Sequence, residues 1–207
     1  MERNQKQGDK LIEEESSLIK RIQEGLFPVN SKNDVIDDHL KQAAILVPLF
    51  FDKGIWKLLF IRRSNIGEFH RGEVAFPGGG KESVDQNMAE TALRETREEL
   101  GILPENIQIL GEMKPLPTIS KYFVTPIVGV LKTPMEIKPN SIEVARVFSI
   151  PLDWLMNDEN WGLNTFEIDN RGKISTIVYN TFDEEKLWWF TAKVTQNLID
   201  VINKKER

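Results

Sequence analysis

The sequence predicts an α+β protein in which helices cover a mixed β-sheet. Strand-like and helix-like segments follow one another without the regular strand–helix alternation of a doubly wound sheet. Two apolar runs flank an Asp-x-Gly turn, which is typical of a β-hairpin. The C-terminal segment has apolar residues at helical spacing with polar residues between them, which indicates a long helix. Together these features favour a mixed sheet with a long C-terminal helix.

The N-terminal segment carries apolar residues at roughly helical spacing. Between Leu11 and Leu26 they alternate with charged residues, and Pro28 is expected to stop the helix. We interpret residues 1–41 as an N-terminal helical extension that packs on the core or on a second subunit, with a regulatory arm as the alternative. Residues 42–207 then form the main domain.

The main domain is expected to open with a hairpin and a glycine-rich loop. Ala43–Phe51 and Ile55–Arg62 are the two strands of the hairpin, and the loop from Gly72 to Gly80 follows. A helix over Met88–Leu100 ends at Gly101, a residue suited to a left-handed C-cap. The remaining candidates are four strands and the closing helix, at Ile107–Lys114, Phe123–Leu131, Val144–Ile150, Ile174–Thr181 and Glu184–Asn203.

Composition excludes several classes of protein. The 207 residues contain no Cys, so disulfides, thiolate metal sites and Cys nucleophiles are ruled out, and two His make a multi-histidine zinc site improbable. The net charge of −5 gives no support for nucleic-acid binding. The apolar run Ala43–Phe51 is too short to cross a membrane, and the polar N-terminus does not resemble a signal peptide. A cytoplasmic protein without a membrane partner is expected.

Three carboxylates on the predicted helix are the strongest indication of chemistry. Glu95, Glu98 and Glu99 are spaced i, i+3 and i+4, so they share one helix face and repel one another. A divalent cation would reverse that repulsion, and oxygen ligands suit Mg²⁺ or Mn²⁺. The alternative is a solvated acidic helix face. The glycine-rich loop directly before the helix favours the metal site, because exposed glycine backbone can approach a metal or a phosphate.

This stretch resembles the Nudix box, which has a glycine, an acidic residue, and then Arg-Glu-aliphatic-x-Glu-Glu-x-Gly-aliphatic. The matching residues are Arg94, Glu95, Glu98, Glu99, Gly101 and Ile102. Thr96 stands where the pattern has an aliphatic residue. Counted from Gly80, the acidic position falls on Gln86, whereas counted from Gly79 it falls on Asp85 in a loop one residue longer. We prefer the second alignment.

The residues before the box resemble the upstream signature of coenzyme A pyrophosphatases within the Nudix superfamily. Matching positions are Arg63, Ser64, Gly72, Phe76, Pro77, Gly78 and Gly79. Glu68 and Ile61 depart from the signature, which has Arg and Thr at those positions. The resemblance extends over about residues 43–200.

The resemblance implies a Nudix-like α/β/α sandwich and a pyrophosphatase that uses Mg²⁺ or Mn²⁺. It implies Glu95, Glu98 and Glu99 as metal ligands, with the Gly79 or the Gly80 carbonyl beside them. Arg94 is expected to orient Glu95 or cap the cluster, and Glu98 or Glu99 to polarise the attacking water. Glu143 is a candidate for an extra ligand or the general base. Candidate binders of substrate phosphates are Arg62, Arg63, His70, Arg71 and Lys121.

Three functions remain open at the level of sequence. The first is cleavage of coenzyme A or acyl-CoA to 3′,5′-ADP and a 4′-phosphopantetheine product. The second is the same chemistry on ADP-ribose, a dinucleotide or an oxidised nucleoside triphosphate, which Glu68 keeps open. The third is a non-catalytic nucleotide-binding module, against which the three repelling carboxylates argue. A homodimer is compatible with each of the three.

Overall fold

A central mixed sheet with helices on both faces forms the body of the protein. The computed structural model describes residues 16–31, 40–65, 72–168 and 172–204. The strands are β1 Lys41–Asp52, β2 Ile55–Arg63, β3 Val74–Ala75, β4 Gly78–Gly80, β5 Ile107–Glu112, β6 Leu116–Pro117, β7 Tyr122–Leu131, β8 Val144–Pro151, β9 Trp161–Ile168 and β10 Gly172–Tyr179. The helices are α1 over 16–24, α2 Met88–Leu100, α3 Leu152–Met156 and α4 Trp189–Ile202, with 3₁₀ turns at Pro104–Asn106 and Asp158–Asn160.

The sheet combines parallel and antiparallel pairs, which confirms the predicted mixed sheet. Its main order is β3-β2-β1-β7-β5, with β4 pairing to β1, β6 to β7 and β8 to β2. β1 and β7 run parallel, whereas β1 pairs antiparallel with both β2 and β4. β9 and β10 form a separate two-stranded sheet. The branching places β4, the glycine strand, against β1 at the end where β7 begins.

Alternating residues of the central strands bury both faces of the sheet. Phe60 of β2 joins a cluster with α1 and α4, whereas the next residue, Ile61, joins a cluster with α2. The same alternation separates Leu46 from Val47 in β1. A strand that is apolar on both faces needs a helical layer on each side. The predicted α/β/α sandwich is therefore confirmed.

The predicted hairpin and helix ends follow their local chemistry. Lys53 and Gly54 both have positive φ, at 51° and 83°, as a two-residue turn between twisted strands requires. Helix α2 begins after Asn87, whose side chain accepts a hydrogen bond from the Glu90 N–H. It ends at Gly101, with φ 68° and its N–H donated to the Arg97 carbonyl.

The structure differs from the sequence prediction at both helical ends of the chain. The closing helix begins at Trp189, not at Glu184, because positive φ at Asp183 and Glu184 forms a turn closed by backbone hydrogen bonds between Phe182 and Glu185. The N-terminal helix occupies 16–24 of the predicted segment, and residues 11–15 lie outside the described residues. Its buried Leu18 and Ile22 belong to the same core as α4. The division of the chain at 41/42 stays a prediction.

Sequence patterning missed one long strand. Trp161–Ile168 contains polar residues at several positions and is mostly exposed, so it lacks the apolar run that marked the other strands. Among the described strands, β10 is its only partner.

Candidate active site

Glycines bring the strand backbone of β4 into contact with helix α2. An added Cβ on Gly79 would lie 2.5 Å from Cδ of Glu95, which leaves no room for any side chain. At Gly78, with φ 151°, a Cβ would collide with the Ala44 carbonyl oxygen of β1. The glycine strand is thus held between β1 and the carboxylates of α2, and its Gly78 N–H donates to Glu99.

The three helix carboxylates lie at different depths. The side chain of Glu99 is 1% exposed, that of Glu95 15% and that of Glu98 48%. Glu99 accepts a hydrogen bond from the Gly78 N–H at 3.0 Å, and its other oxygen lies 3.5 Å from Nη1 of Arg63. The three carboxylates that spacing placed on one helix face therefore differ in exposure, from the buried Glu99 to the solvated Glu98.

Burial makes the negative charge of this cluster costly. It raises the pKa of Glu99 to about 7, and the neighbouring charges of Glu95 and Glu143 act in the same direction. Burial also raises the pKa of Glu95. A desolvated pair of carboxylates favours any cation that can approach it.

Arg94 connects the loop after the glycine strand to the carboxylates. It donates to both oxygens of Asp85 at 3.0 Å, to the Gly80 carbonyl at 2.9 Å, to Glu95 at 2.8 Å and to Glu98 at 3.2 Å. The hydrogen bonds from Arg94 lower the pKa of Asp85 to about 2, with the Glu82 N–H and the Thr91 hydroxyl contributing.

Asp85 and Gln86, the two candidates for the acidic position of the box, differ in their surroundings. Asp85 is buried and bonded to Arg94, whereas Gln86 is exposed. Asp85, the acidic position in the alignment counted from Gly79, is thus the residue that bonds to Arg94, and the alignment itself stays a prediction.

The donors at this site are of the type that a hard divalent cation prefers, but the described residues do not gather them into a metal site. Within the described ranges, no three Asp, Glu, His or Cys side chains stand close enough together to hold a metal. The guanidinium of Arg94 lies between Glu95 and Glu98, so a positive charge already occupies the space between these two carboxylates. All the available donors are oxygens, the ligands that Mg²⁺ and Mn²⁺ prefer.

The Gly79 carbonyl, predicted as a metal ligand, faces the neighbouring strand. Hydrogen bonds join β1 and β4 on either side of this residue, from the Leu46 N–H to the Pro77 carbonyl and from the Lys81 N–H to the Gln42 carbonyl. Hydrogen-bonded and non-hydrogen-bonded pairs alternate along antiparallel strands. Ala44 and Gly79, midway between these two bonds, are therefore a hydrogen-bonded pair. One lone pair of that oxygen is therefore directed to β1. Its ligand role stays a prediction.

Glu143 lies near the cluster on a segment anchored to the end of α2. Its carboxylate accepts from the Asn140 amide at 2.9 Å, and the Asn140 N–H donates to the Glu99 carbonyl at 2.9 Å. Sequence reasoning did not single out Asn140. The sequence signal was an Asn placed to form a local turn, because an Asn side chain commonly accepts a hydrogen bond from the backbone N–H two residues further along. Here the Asn140 side-chain oxygen accepts from the Ile142 N–H.

The predicted phosphate-binding cations do not form one group. Arg63 lies beside Glu99, whereas Arg62 is bonded to the buried Glu185 through Nε at 3.0 Å and Nη2 at 2.7 Å. Lys121 lies in the turn before β7, with φ 63°. His70 and Arg71 lie outside the described residues.

Comparison with known proteins identifies the family. Residues 40–169 match the NUDIX domain family. The chain belongs to this family. It is 37% identical over 161 residues, 76% of this chain and 81% of the relative, to the uncharacterized Nudix hydrolase NudL of Pectobacterium atrosepticum. It is a Nudix-type pyrophosphatase, of a family that uses divalent metal ions and small nucleoside diphosphate substrates.

Two further comparisons concern the subfamily and the fold. The chain is 35% identical over 164 residues, 77% of this chain and 69% of the relative, to the human mitochondrial coenzyme A diphosphatase NUDT8. A crystal structure of a MutT/nudix family protein from Enterococcus faecalis matches with a TM-score of 0.52 and 17% identity, covering 80% of this chain and 63% of that one. In the described part of this Nudix protein no helix is long and apolar enough to cross a membrane.

Gly79→Ala tests the contact between the glycine strand and the helix. We expect the added methyl group to displace the Glu95 carboxylate and to lower turnover by about 10²-fold, as a misplacement of about 1 Å does elsewhere. Weaker Mn²⁺ binding, followed by electron paramagnetic resonance, should accompany the loss. Gly162→Ala is the matched control, because a Cβ there meets nothing within 4 Å. Equal activity of both variants would contradict the contact.

Asp85→Asn tests the hydrogen bonds to Arg94 through stability. The folded-state pKa lies below the ordinary value of 3.8, so the stabilisation is present above about pH 4 and is lost as pH falls towards 2. We expect the variant to lose about 2 kcal/mol of unfolding free energy at pH 7. Urea unfolding at pH 7 and pH 2.5 should show the difference from the wild type shrinking with acid. The exposed Asp153, changed to Asn, is the control, and a difference independent of pH would refute the assignment.

Proposed function

We propose that this Nudix enzyme hydrolyses the diphosphate bond of coenzyme A or acyl-CoA, with Mg²⁺ or Mn²⁺, to 3′,5′-ADP and a 4′-phosphopantetheine product. The observation that supports coenzyme A as the substrate is the similarity to a coenzyme A diphosphatase over 77% of the chain. The carboxylate cluster of α2 beside the glycine strand supports the chemistry, because an anionic diphosphate resists attack by water unless its charge is neutralised.

Glu95, Glu98 and Glu99 would hold the metal, with the Gly79 carbonyl as a further ligand. When bound, the metal neutralises the diphosphate oxygens and lowers the pKa of an attacking water. The Gly78 N–H keeps one oxygen of Glu99 in place, and Arg94 holds Glu95 and Glu98 at the helix surface.

Glu143 is the proposed proton acceptor, with Glu98 or Glu99 as the alternative. It is exposed, is held by the Asn140 amide, and its charge acts on both Glu95 and Glu99. A base must be within hydrogen-bond reach of the attacking water, and an exposed carboxylate beside the metal ligands meets that need.

Arg63 and Lys121 are the proposed phosphate-binding cations within the described residues. Arg63 lies at the buried end of the carboxylate cluster, where a guanidinium can bind phosphate oxygens with two parallel hydrogen bonds. Arg62 supports the fold through Glu185, which Arg146 also contacts at 3.0 Å. His70 and Arg71 stay predictions, as do the homodimer and the cytoplasmic location.

Another nucleoside diphosphate derivative is the alternative substrate. Glu68 stands where the coenzyme A pyrophosphatase signature has Arg, which favours ADP-ribose, a dinucleotide or an oxidised nucleoside triphosphate. A non-catalytic binding module is a weaker alternative, because the buried, mutually repelling carboxylates would be a cost without a metal.

Chromatographic product analysis tests the substrate. Purified protein with Mg²⁺ or Mn²⁺ is given coenzyme A, ADP-ribose and 8-oxo-dGTP side by side. We expect release of 3′,5′-ADP from coenzyme A well above turnover of the others, and its loss with EDTA. Preferred turnover of another substrate would contradict coenzyme A as the substrate and leave the proposed metal-dependent hydrolysis in place. Turnover that EDTA leaves unchanged would contradict the metal.

Glu99→Gln tests the metal ligands. We expect turnover to fall by about 10²-fold or more, as loss of a ligand in metal-assisted catalysis implies. Folding should be retained, because the substitution removes a charge that is already desolvated. Circular dichroism and Mn²⁺ titration check both statements, and the exposed Glu105→Gln serves as control. Unchanged turnover would remove Glu99 from the site.

A further inference from the structure

A polar cleft lies at the end of the glycine strand, outside the carboxylate cluster. Its volume is about 480 Å³, and its lining includes Lys41 of β1, Gly80 of β4, Lys81 and Tyr122 of β7. None of the roles assigned above uses this cleft.

The sheet topology brings three lysines together here. β4 and β7 both pair with β1 at this end of the sheet. The Lys81 N–H donates to the Gln42 carbonyl at 2.9 Å, and the Lys41 N–H donates to the Lys121 carbonyl at 3.0 Å. The backbones of three cationic residues are thus neighbours at β1, although successive lysines lie 40 residues apart in the chain.

The positive charges of these lysines have no partner carboxylate within the described ranges. Two acidic residues also line the cleft, but both face Arg94, which lies 3.0 Å from Asp85 and 3.8 Å from Glu82. Arg94 therefore offsets part of the acidic charge, and neither carboxylate is paired with one of the lysines.

The cleft adjoins the catalytic cluster through the glycine strand. Gly80 lines the cleft and its carbonyl accepts from Arg94, while the preceding Gly79 packs against Glu95. A substrate with its diphosphate at the carboxylates would place its adjoining nucleoside near this cleft. A second phosphate on that nucleoside would then meet the lysines.

We propose that Lys41 and Lys81, with Lys121 beside them, bind a phosphomonoester carried by the ribose of the substrate. The cleft then selects nucleoside diphosphate derivatives that have a 3′-phosphate over those that lack it. This inference rests on the proposed coenzyme A hydrolysis, because coenzyme A carries such a group. Ammonium groups suit this role, since a compact point charge on a flexible stem can follow a tetrahedral dianion. Tyr122 supplies a partly buried wall of the cleft.

The kinetic test compares coenzyme A with dephospho-coenzyme A, which differs only in the 3′-phosphate. We expect Lys81→Gln to lower kcat/KM for coenzyme A about tenfold, mainly through KM, as loss of one charge-assisted contact implies. Turnover of dephospho-coenzyme A should not change. Lys41→Gln should act in the same direction. Lys173→Gln, an exposed lysine on β10, is the matched control and should affect neither substrate.

A binding test separates this inference from the proposed function. Isothermal titration calorimetry compares adenosine 3′,5′-bisphosphate with 5′-AMP on the intact wild-type chain and on the Lys81→Gln variant. Tighter binding of the bisphosphate that the variant loses supports the site, even if coenzyme A is not hydrolysed. Equal affinity for both nucleotides in the wild type, or an equal loss for both coenzyme A substrates in the kinetic test, would overturn it.

Discussion

The approach of helix α2 to the glycine strand is the constraint on which the site depends. Glu95 lies so close to the Gly79 backbone that no side chain fits between them, and the Gly78 N–H supplies a hydrogen bond to Glu99. This contact requires β4 to be paired with β1, and β1 to be held in the middle of the sheet between two helical layers. A buried sheet thus fixes the position of groups that must be precise to a fraction of an ångström.

Desolvation of carboxylates makes this arrangement costly in the absence of a cation. The pKa of Glu99 rises because the burial that positions it also removes water from its charge. Arg94 relieves part of the repulsion by bonding to Glu95 and Glu98, and Asp85 holds Arg94 in turn. The same positive charge links the loop after the glycine strand to the helix, so the electrostatics and the shape of the loop depend on one side chain.

The glycine strand also separates two regions of opposite charge. On one side the carboxylates of α2 favour a metal ion, and on the other the lysines at the strand ends favour an anion. A nucleotide substrate carries both partners, since its diphosphate chelates a metal and a further phosphate attracts a cation. A substrate of the proposed kind would span this single strand and contact both regions.

The sequence by itself determined the central hairpin, the bounds of α2 and the carboxylates on its face. Apolar runs around an Asp-x-Gly turn specified the hairpin, Gly101 specified the end of α2, and the spacing of Glu95, Glu98 and Glu99 specified a shared face. These features are local, so periodicity and turn chemistry suffice to predict them. The late start of α4 escaped prediction because the turn before it is stabilised by backbone bonds that leave no mark in the apolar pattern.

Only the tertiary structure decided which charged groups belong together. Arg62 and Arg63 are neighbours in the chain, but one lies beside Glu185 and the other beside Glu99, because successive residues of a strand point to opposite faces of the sheet. Asn140 contacts both Glu143 and the end of α2. The backbones of Lys41, Lys81 and Lys121 become neighbours only through strand pairing. Such contacts join distant segments, and no local pattern encodes which strand will pair with which.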